Sequence, residues 1–77
     1  MTNTCVIKFG RLDGSADKVL FIPGRKVALT AANALSKVLM GGHRFRHSES
    51  HVDQREESAE FYVEFIPPES PNNRTTH

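Results

Sequence analysis

The sequence predicts a small α+β domain in which two strand hairpins flank a single helix, in the order β-β-α-β-β. Two segments of alternating apolar residues, 4–9 and 61–66, indicate strands, and an alanine- and leucine-rich segment between glycines indicates the helix. We expect a four-stranded antiparallel sheet with the helix packed on one face. The 77 residues suit one domain, which we expect at 1–66, followed by a disordered polar tail at 67–77.

The first hairpin is predicted from two apolar segments and the turn between them. Period-two alternation places Cys5, Ile7 and Phe9 on one face of the first strand. The glycine- and aspartate-containing segment 10–17 has the composition of a turn. The second strand, Lys18–Pro23, is an almost continuous apolar run. Such a run is typical of a strand covered on both faces, or of one whose outer face meets a partner.

The helix has two possible starts. It begins near Arg25, directly after a Pro-Gly pair, or at Thr30 as an N-cap, with Leu29 packing onto Ala34. We favour Thr30, because threonine is a good N-cap and the residues before it can then run extended. Apolar residues at helical spacing form one stripe, which we expect to face the sheet: Ala31, Ala34, Leu35 and Val38, with Leu39 at its edge. The paired glycines 41–42 end the helix.

A histidine-rich segment, residues 43–50, alternates as a third strand would, with His43, Phe45 and His47 on one face. Histidines four residues apart would suit zinc if the segment were helical. The glycines before it and the alternation favour a strand, on which His43 and His47 lie about 13 Å apart. We therefore predict no metal site, and the sequence contains no motif that indicates a cofactor.

The acidic segment 51–60 is predicted to be a loop or the splayed end of a long hairpin, because a helix there would have almost no apolar surface to bury. Phe61–Ile66 is the fourth strand. Glu56 and Glu57 lie in this solvated loop, where nothing would raise the pKa of one carboxyl for acid catalysis. Cys5 shares the apolar face of its strand, where a small buried cysteine is the ordinary outcome. The sequence therefore predicts a protein that is not an enzyme.

The N-terminal segment and the cysteine content bear on location. Cys5 is the only cysteine, so no disulfide forms within one chain, and a reducing compartment is favoured. The N-terminus lacks the basic and apolar regions of a signal peptide. No apolar run approaches the roughly 20 residues of a membrane helix. We expect a soluble cytoplasmic protein that does not bind membranes.

The net charge of +1 conceals a segregation of charge along the chain. Residues 1–47 contain eight Lys or Arg and two Asp, a net charge of +6. Residues 48–77 contain two Arg and seven Asp or Glu, a net charge of −5. The two parts could neutralise each other across the fold, or they could attract different partners.

Three candidate surfaces follow from this pattern. An acidic surface, which could imitate nucleic-acid phosphates, would comprise Glu49, Asp53, Glu56, Glu57, Glu60 and Glu64. A basic surface, which could bind a partner or a nucleic acid, would comprise Lys8, Arg25, Lys26, Arg44 and Arg46. An apolar patch on the sheet face away from the helix, which could form a dimer, would comprise Leu20, Ile22 and Ile66.

These features predict a small non-enzymatic binding protein that occupies a surface of a larger protein or nucleoprotein complex. Virus- or mobile-element-encoded inhibitors or modulators of host nucleic-acid-processing or defence complexes have this profile. The first alternative is a DNA- or RNA-binding protein that uses a basic sheet face. The second alternative is a homodimeric structural or adaptor module. The choice between a monomer and a homodimer depends on whether the apolar patch is covered.

Overall fold

The computed structural model describes residues 4–76, and it describes side chains for residues 4–73. The main elements in chain order are β1 (Thr4–Arg11), β2 (Lys18–Pro23), α1 (Arg25–Met40), β3 (Gln54–Glu57) and β4 (Phe61–Ile66). Two short 3-10 helices, His47–Glu49 and Pro71–Thr76, complete the described part. The strands form one antiparallel sheet in the order β2-β1-β4-β3. Helix α1 packs on this sheet, which confirms the predicted α+β fold.

The hydrophobic core lies between α1 and the two central strands. Alternation along β1 and β4 directs one set of apolar side chains to the helix, as predicted for Cys5 and Ile7. Phe65 is the largest fully buried side chain. The core cluster comprises Cys5, Ile7, Ala28, Leu29, Ala32, Phe45, Val63 and Phe65. The small residues of α1 allow its backbone to approach the sheet closely.

The turn after β1 folds back over the strand at Gly10. A Cβ atom at this position would lie only 2.8 Å from the backbone carbonyl oxygen of Ala16, so glycine is required. The close approach brings Asp17 within reach of Tyr62, whose hydroxyl donates a hydrogen bond of 2.9 Å to the Asp17 carboxylate. Burial, followed by this hydrogen bond, raises the pKa of Tyr62.

Helix α1 begins at Arg25, so the preferred prediction of a start at Thr30 is wrong and the alternative is confirmed. Gly24 occupies the N-cap position with φ of 95°, a conformation that glycine adopts without strain and that directs β2 straight into the helix. The early start buries Leu29 in the core. The predicted end is confirmed, because Gly41 closes the helix in the left-handed conformation and its N–H donates to the Lys37 carbonyl.

The helix face that meets the sheet agrees with the prediction only in part, since Leu35 and Leu39 of the predicted stripe pack against the core cluster. Ala34 is exposed and Val38 is 80% exposed, although both belong to the stripe expected to pack on the sheet. The buried residues of α1 are Ala28, Leu29, Ala32, Asn33 and Ser36. Two polar residues are tolerated in this set because the chain after α1 passes beside them. The Ser36 hydroxyl donates to the Gly42 carbonyl, and Asn33 bonds the backbone of Phe45.

The third strand lies later in the chain than predicted. Residues 43–46 are not a strand, and β3 occupies Gln54–Glu57, within the segment predicted to be a loop or the splayed end of a long hairpin. The Gln54 side chain holds the two segments together, since it accepts from the Arg46 N–H at 2.9 Å and donates to the Arg46 carbonyl at 2.9 Å. A hydrogen bond of 2.8 Å from the Ser58 N–H to the Phe61 carbonyl closes the hairpin from β3 to β4.

The segment expected to be a disordered tail packs against the domain over its described side chains. Pro67 is fully buried and Ser70 is nearly so. The Asn73 side-chain amide donates to the backbone carbonyls of Pro67 and Thr4, at 3.3 and 3.5 Å. An ion pair between Arg25 and Glu69 joins this segment to the start of α1. His77, the last residue of the predicted tail, lies outside the described residues.

Replacement of Thr30 by alanine tests the start of the helix. If Thr30 were the N-cap, the change would cost about 1 kcal/mol of unfolding free energy. In the structure, the Thr30 hydroxyl only donates to the Lys26 carbonyl one turn earlier, at 2.9 Å, on an exposed face. We therefore expect no loss, or a gain of a few tenths of a kcal/mol, because alanine is the better helix former. Urea unfolding of both proteins measures this, and a loss near 1 kcal/mol would contradict a start at Arg25.

Candidate interaction surfaces

Of the six acidic residues predicted to form one surface, the three that lie on strands are divided between the two faces of the sheet, and Glu49, Asp53 and Glu60 lie outside the strands. Glu56 pairs in register with Val63 and lies on the helix face, whereas Glu57 and Glu64 lie on the outer face. Arg55 partly neutralises the outer pair, with Nε 2.7 Å from Glu57 and Nη1 3.3 Å from Glu64. The hydrogen bond to Glu57 raises the pKa of Arg55. The structure therefore does not form one continuous acidic surface, and Arg55 offsets part of the negative charge on the outer face.

The basic candidates are also separated. Lys8 lies on the outer face of the sheet beside Glu64, whereas Arg44 lies at the end of α1, where it donates to the Met40 carbonyl at 3.2 Å. Arg25 is held by Glu69, with one N–O distance of 2.7 Å, and this hydrogen bond lowers the pKa of Glu69. Arg46 lies 3.5 Å from Glu49. Lys26 is exposed on α1. The predicted basic sheet face is thus not assembled.

The predicted dimer patch is wrong for β2, because the two residues named for it lie on the opposite face of the strand. Leu20 and Ile22 pair with Ile7 and Cys5, so they lie on the helix face. Because side chains alternate, a shift of one residue moves the whole set to the other face. The outer face of β2 instead presents Val19 and Phe21. Ile66 does lie on the outer face, opposite Val6, but both are buried.

The two edges of the sheet differ sharply in composition. Edge strand β3 consists of Gln-Arg-Glu-Glu, the kind of polar edge that discourages pairing with other chains. Edge strand β2 exposes three large apolar side chains: Val19 at 45%, Leu20 at 40% and Phe21 at 57%. We call these three residues the edge surface. Lys18 and Pro23, at the two ends of β2, are the strand's only features that discourage pairing.

A cavity of about 450 Å³ adjoins the edge surface on the outer face. Val6 and Ile66 form its apolar base, Val19 and Phe21 flank it, and Lys8, Glu64 and Asn72 complete the lining. Lys8 and Glu64 pair in register, so they place adjacent opposite charges beside this apolar base, where they can orient a polar group of a bound segment. Val19 and Phe21 of the edge surface thus also line a concave, partly apolar region on the outer face, whereas Leu20 lies on the helix face.

A second groove, of about 620 Å³, lies between α1 and the chain that follows it. Its lining includes Thr30, Ala34, Lys37 and Val38 from the helix and His43 and His47 from the returning segment. We call this the helix groove. The interpretation of residues 43–50 as a strand separated the two histidines by about 13 Å, whereas the structure places both along one groove. The sequence feature that could have indicated this groove was the apolar stripe of α1, but the prediction placed that stripe in the core.

The groups with potential chemistry are few in the described part of the chain. The Cys5 thiol is fully buried, and burial raises its pKa, which favours the unreactive protonated form. Among residues 4–73, no three His, Cys, Asp or Glu side chains are grouped so that they could hold a metal ion. Within the same residues, no helix combines the length and apolar character needed to span a bilayer.

Comparison with known proteins adds no relative: no protein-family model matches the chain, and no curated protein or solved structure is significantly similar to it.

Proposed function

We propose that this protein is a small non-enzymatic binding protein that occupies a surface of a larger protein or nucleoprotein complex, and that it binds through the edge surface. An extended segment of the partner would pair with β2 and add a fifth strand to the sheet. The observation that supports this most directly is the contrast between the two edges. β3 is polar and charged, whereas β2 presents exposed Val19, Leu20 and Phe21.

The backbone of β2 supports the same mode of binding. Pro23 has no N–H to donate, so it suits a position whose backbone groups point away from β1. Successive residues of a strand direct these groups to alternate sides. Val19 and Phe21 then also present their N–H and C=O groups to the open edge. A partner strand would gain main-chain hydrogen bonds at both residues and would cover the Phe21 side chain.

The cavity beside β2 would supply specificity. A strand added at this edge places every second side chain on the outer face, next to Val19 and Phe21. The apolar base at Val6 and Ile66 suits an apolar side chain there. Lys8 and Glu64 can orient polar groups of the partner. The finer predictions, a cytoplasmic location and an origin as a virus- or mobile-element-encoded inhibitor, stay predictions.

A homodimer is a second candidate, because β2 can pair with itself. In an antiparallel pair about a twofold axis, Leu20 would face Leu20 of the second copy, and Val19 would face Phe21. This register brings together the backbone groups of Val19 and Phe21 in both copies. It also keeps Lys18 away from its own counterpart. The result would be a continuous eight-stranded sheet with both helices on the same side.

Replacement of Phe21 by lysine is expected to weaken partner binding about tenfold or more, because it removes an exposed aromatic anchor and charges the edge. The measurement is capture of partners from lysate by the tagged protein after nuclease treatment, quantified by mass spectrometry. Sedimentation of the pure protein distinguishes the candidates, since a homodimer would become a monomer in the variant.

Val52→Lys is the matched control, because Val52 is similarly exposed at 41% but precedes β3 at the opposite edge. Partners bound through the edge surface should be retained by this control and lost by Phe21→Lys. Equal capture by Phe21→Lys and the wild type, together with a monomeric wild type, would refute binding through β2.

A further inference from the structure

Helix α1 has an apolar stripe on its outward side, in which Ala34 is exposed and Ala31 is half-buried. At 3.6 residues per turn, Val27, Ala31, Ala34 and Val38 fall within about 60° of one another. Val27 is 61% exposed and Val38 is 80% exposed. Their spacing of four, three and four residues matches the seam through which one helix packs on another. Alanines in the middle of the stripe allow a second helix to approach closely.

The helix groove adjoins this stripe, and the side of the groove opposite α1 is formed by residues 43–47, which are anchored to the core. The Phe45 side chain packs in the core, and the Asn33 side chain holds the Phe45 backbone. The Phe45 N–H donates to Asn33 Oδ1 at 2.8 Å, and Asn33 Nδ2 donates to the Phe45 carbonyl at 3.2 Å. This attachment holds His43 and His47, on either side of Phe45, along the groove opposite Ala34 and Val38. The groove is therefore a concave surface with Ala34, Val38 and Lys37 on the helix side and the two histidines on the opposite side.

The charged side chains of α1 and of residues 41–48 are all basic, and the nearest acidic residue along the chain, Glu49, pairs with Arg46. The sequence contains no acidic residue between Asp17 and Glu49, so neither α1 nor the returning segment contributes a negative charge. Lys26 and Lys37 lie on the side of α1 that borders the groove, and Lys37 lines it. Arg44 adds a charge at the end of the helix. An occupant of this surface must offer apolar side chains for the stripe and negative charges at its margin.

We propose that the helix groove and the adjoining stripe bind an acidic amphipathic helix of a partner protein, at an interface separate from the edge surface of the proposed function. The partner helix would place apolar residues at positions i, i+3, i+4 and i+7 against Val27, Ala34 and Val38. Its Asp or Glu residues would lie beside Lys26 and Lys37. A second copy of α1 does not suit this surface, because antiparallel packing would bring Lys26 close to Lys37 of the other helix.

Two fluorescent peptides of the length of α1 test this proposal on the full chain. Both contain leucines at the four-three-four spacing, and their flanking positions are all glutamate in one peptide and all lysine in the other. Fluorescence anisotropy at low and high salt measures their affinities. We expect the acidic peptide to bind about tenfold more tightly than the lysine peptide at low salt, with a smaller difference at high salt.

Three variants locate the site. Lys37→Glu should weaken the acidic peptide about tenfold and strengthen the lysine peptide. Val38→Ser, which removes an apolar contact without adding a charge, should weaken both. Phe21→Lys, in the edge surface, should leave both affinities unchanged, which separates this proposal from the proposed function. Failure of the acidic peptide to bind, equal binding of the two peptides, or affinities unaffected by Lys37→Glu would each overturn the proposal.

Discussion

Replacement of Phe45 by alanine is expected to lower the free energy of unfolding by about 3–5 kcal/mol. Phe45 is 6% exposed and belongs to the core cluster, but it reaches the core from an irregular segment between exposed Arg44 and Arg46. Its ring is therefore the main apolar attachment of residues 43–46. Loss of the ring leaves a cavity beneath α1 and removes the apolar contacts that hold this segment.

Urea unfolding followed by circular dichroism measures the change. A domain of this length has a total stability of roughly 4–12 kcal/mol, so the variant should unfold at a much lower urea concentration or be unfolded in water. Val38→Ala is the matched control: the stripe residue is 80% exposed, and its truncation should change stability by less than about 0.5 kcal/mol. If Val38→Ala were more destabilising than Phe45→Ala, the stripe that contains Val38 would pack on the sheet, as the sequence predicted.

Strands β1, β2 and β4 could be predicted from the sequence because each is an apolar segment of strand length with turn residues at its ends. The period-two signal is strong wherever one face of a strand is buried. β3 gave no such signal, since Gln-Arg-Glu-Glu forms a charged edge whose stability comes from pairing with β4. Composition alone cannot distinguish a charged edge strand from a solvated loop.

The segment around Phe45 misled the prediction for a different reason. One buried aromatic between polar residues gives the same alternation whether it lies on a strand or on an irregular segment held at one point. What decides between them is the side chain of Asn33, twelve residues earlier in the chain. Such a contact depends on the tertiary path of the chain, which local periodicity does not report.

The orientation of α1 was ambiguous because the helix is apolar on two sides. One side contains Leu29 and Ala32, and the other contains Ala34 and Val38. The early start at Arg25 adds Ala28 and Leu29 to the first side and makes it the better core. This leaves Ala34 and Val38 of the second side exposed.

The candidate surfaces were harder to predict than the fold. Charge counts along the chain locate segments but not faces, and Arg55 neutralises Glu57 and Glu64 through contacts that only the register of β3 and β4 defines. For the apolar patch, Leu20 and Ile22 were predicted on the outer face, but the sheet register places them on the helix face. Val19 and Phe21 differ from Leu20 and Ile22 only by a shift of one residue, and the sheet register fixes this choice.

Replacement of Asn33 by alanine is expected to lower the free energy of unfolding by about 2–4 kcal/mol. The Asn33 amide is buried, and it satisfies both backbone groups of Phe45. Without it, a buried N–H and a buried C=O lose their partners, which costs more than the hydrogen bonds themselves contribute. Alanine's greater helix propensity offsets only about 0.5 kcal/mol of this loss.

Amide hydrogen exchange gives a readout specific to this contact. Exchange of the Phe45 N–H should accelerate in Asn33→Ala more than exchange in β1 or β4, because the segment opens locally before the domain unfolds. Ala34→Asn places the same side chain on the exposed neighbouring position, and it should cost no more than about 0.7 kcal/mol. The double variant with Phe45→Ala should be less destabilised than the sum of the two single changes, since both release the same segment. If the two losses of unfolding free energy were additive, Asn33 would not act through Phe45. Another contact would then have to hold residues 43–47 beside the helix groove.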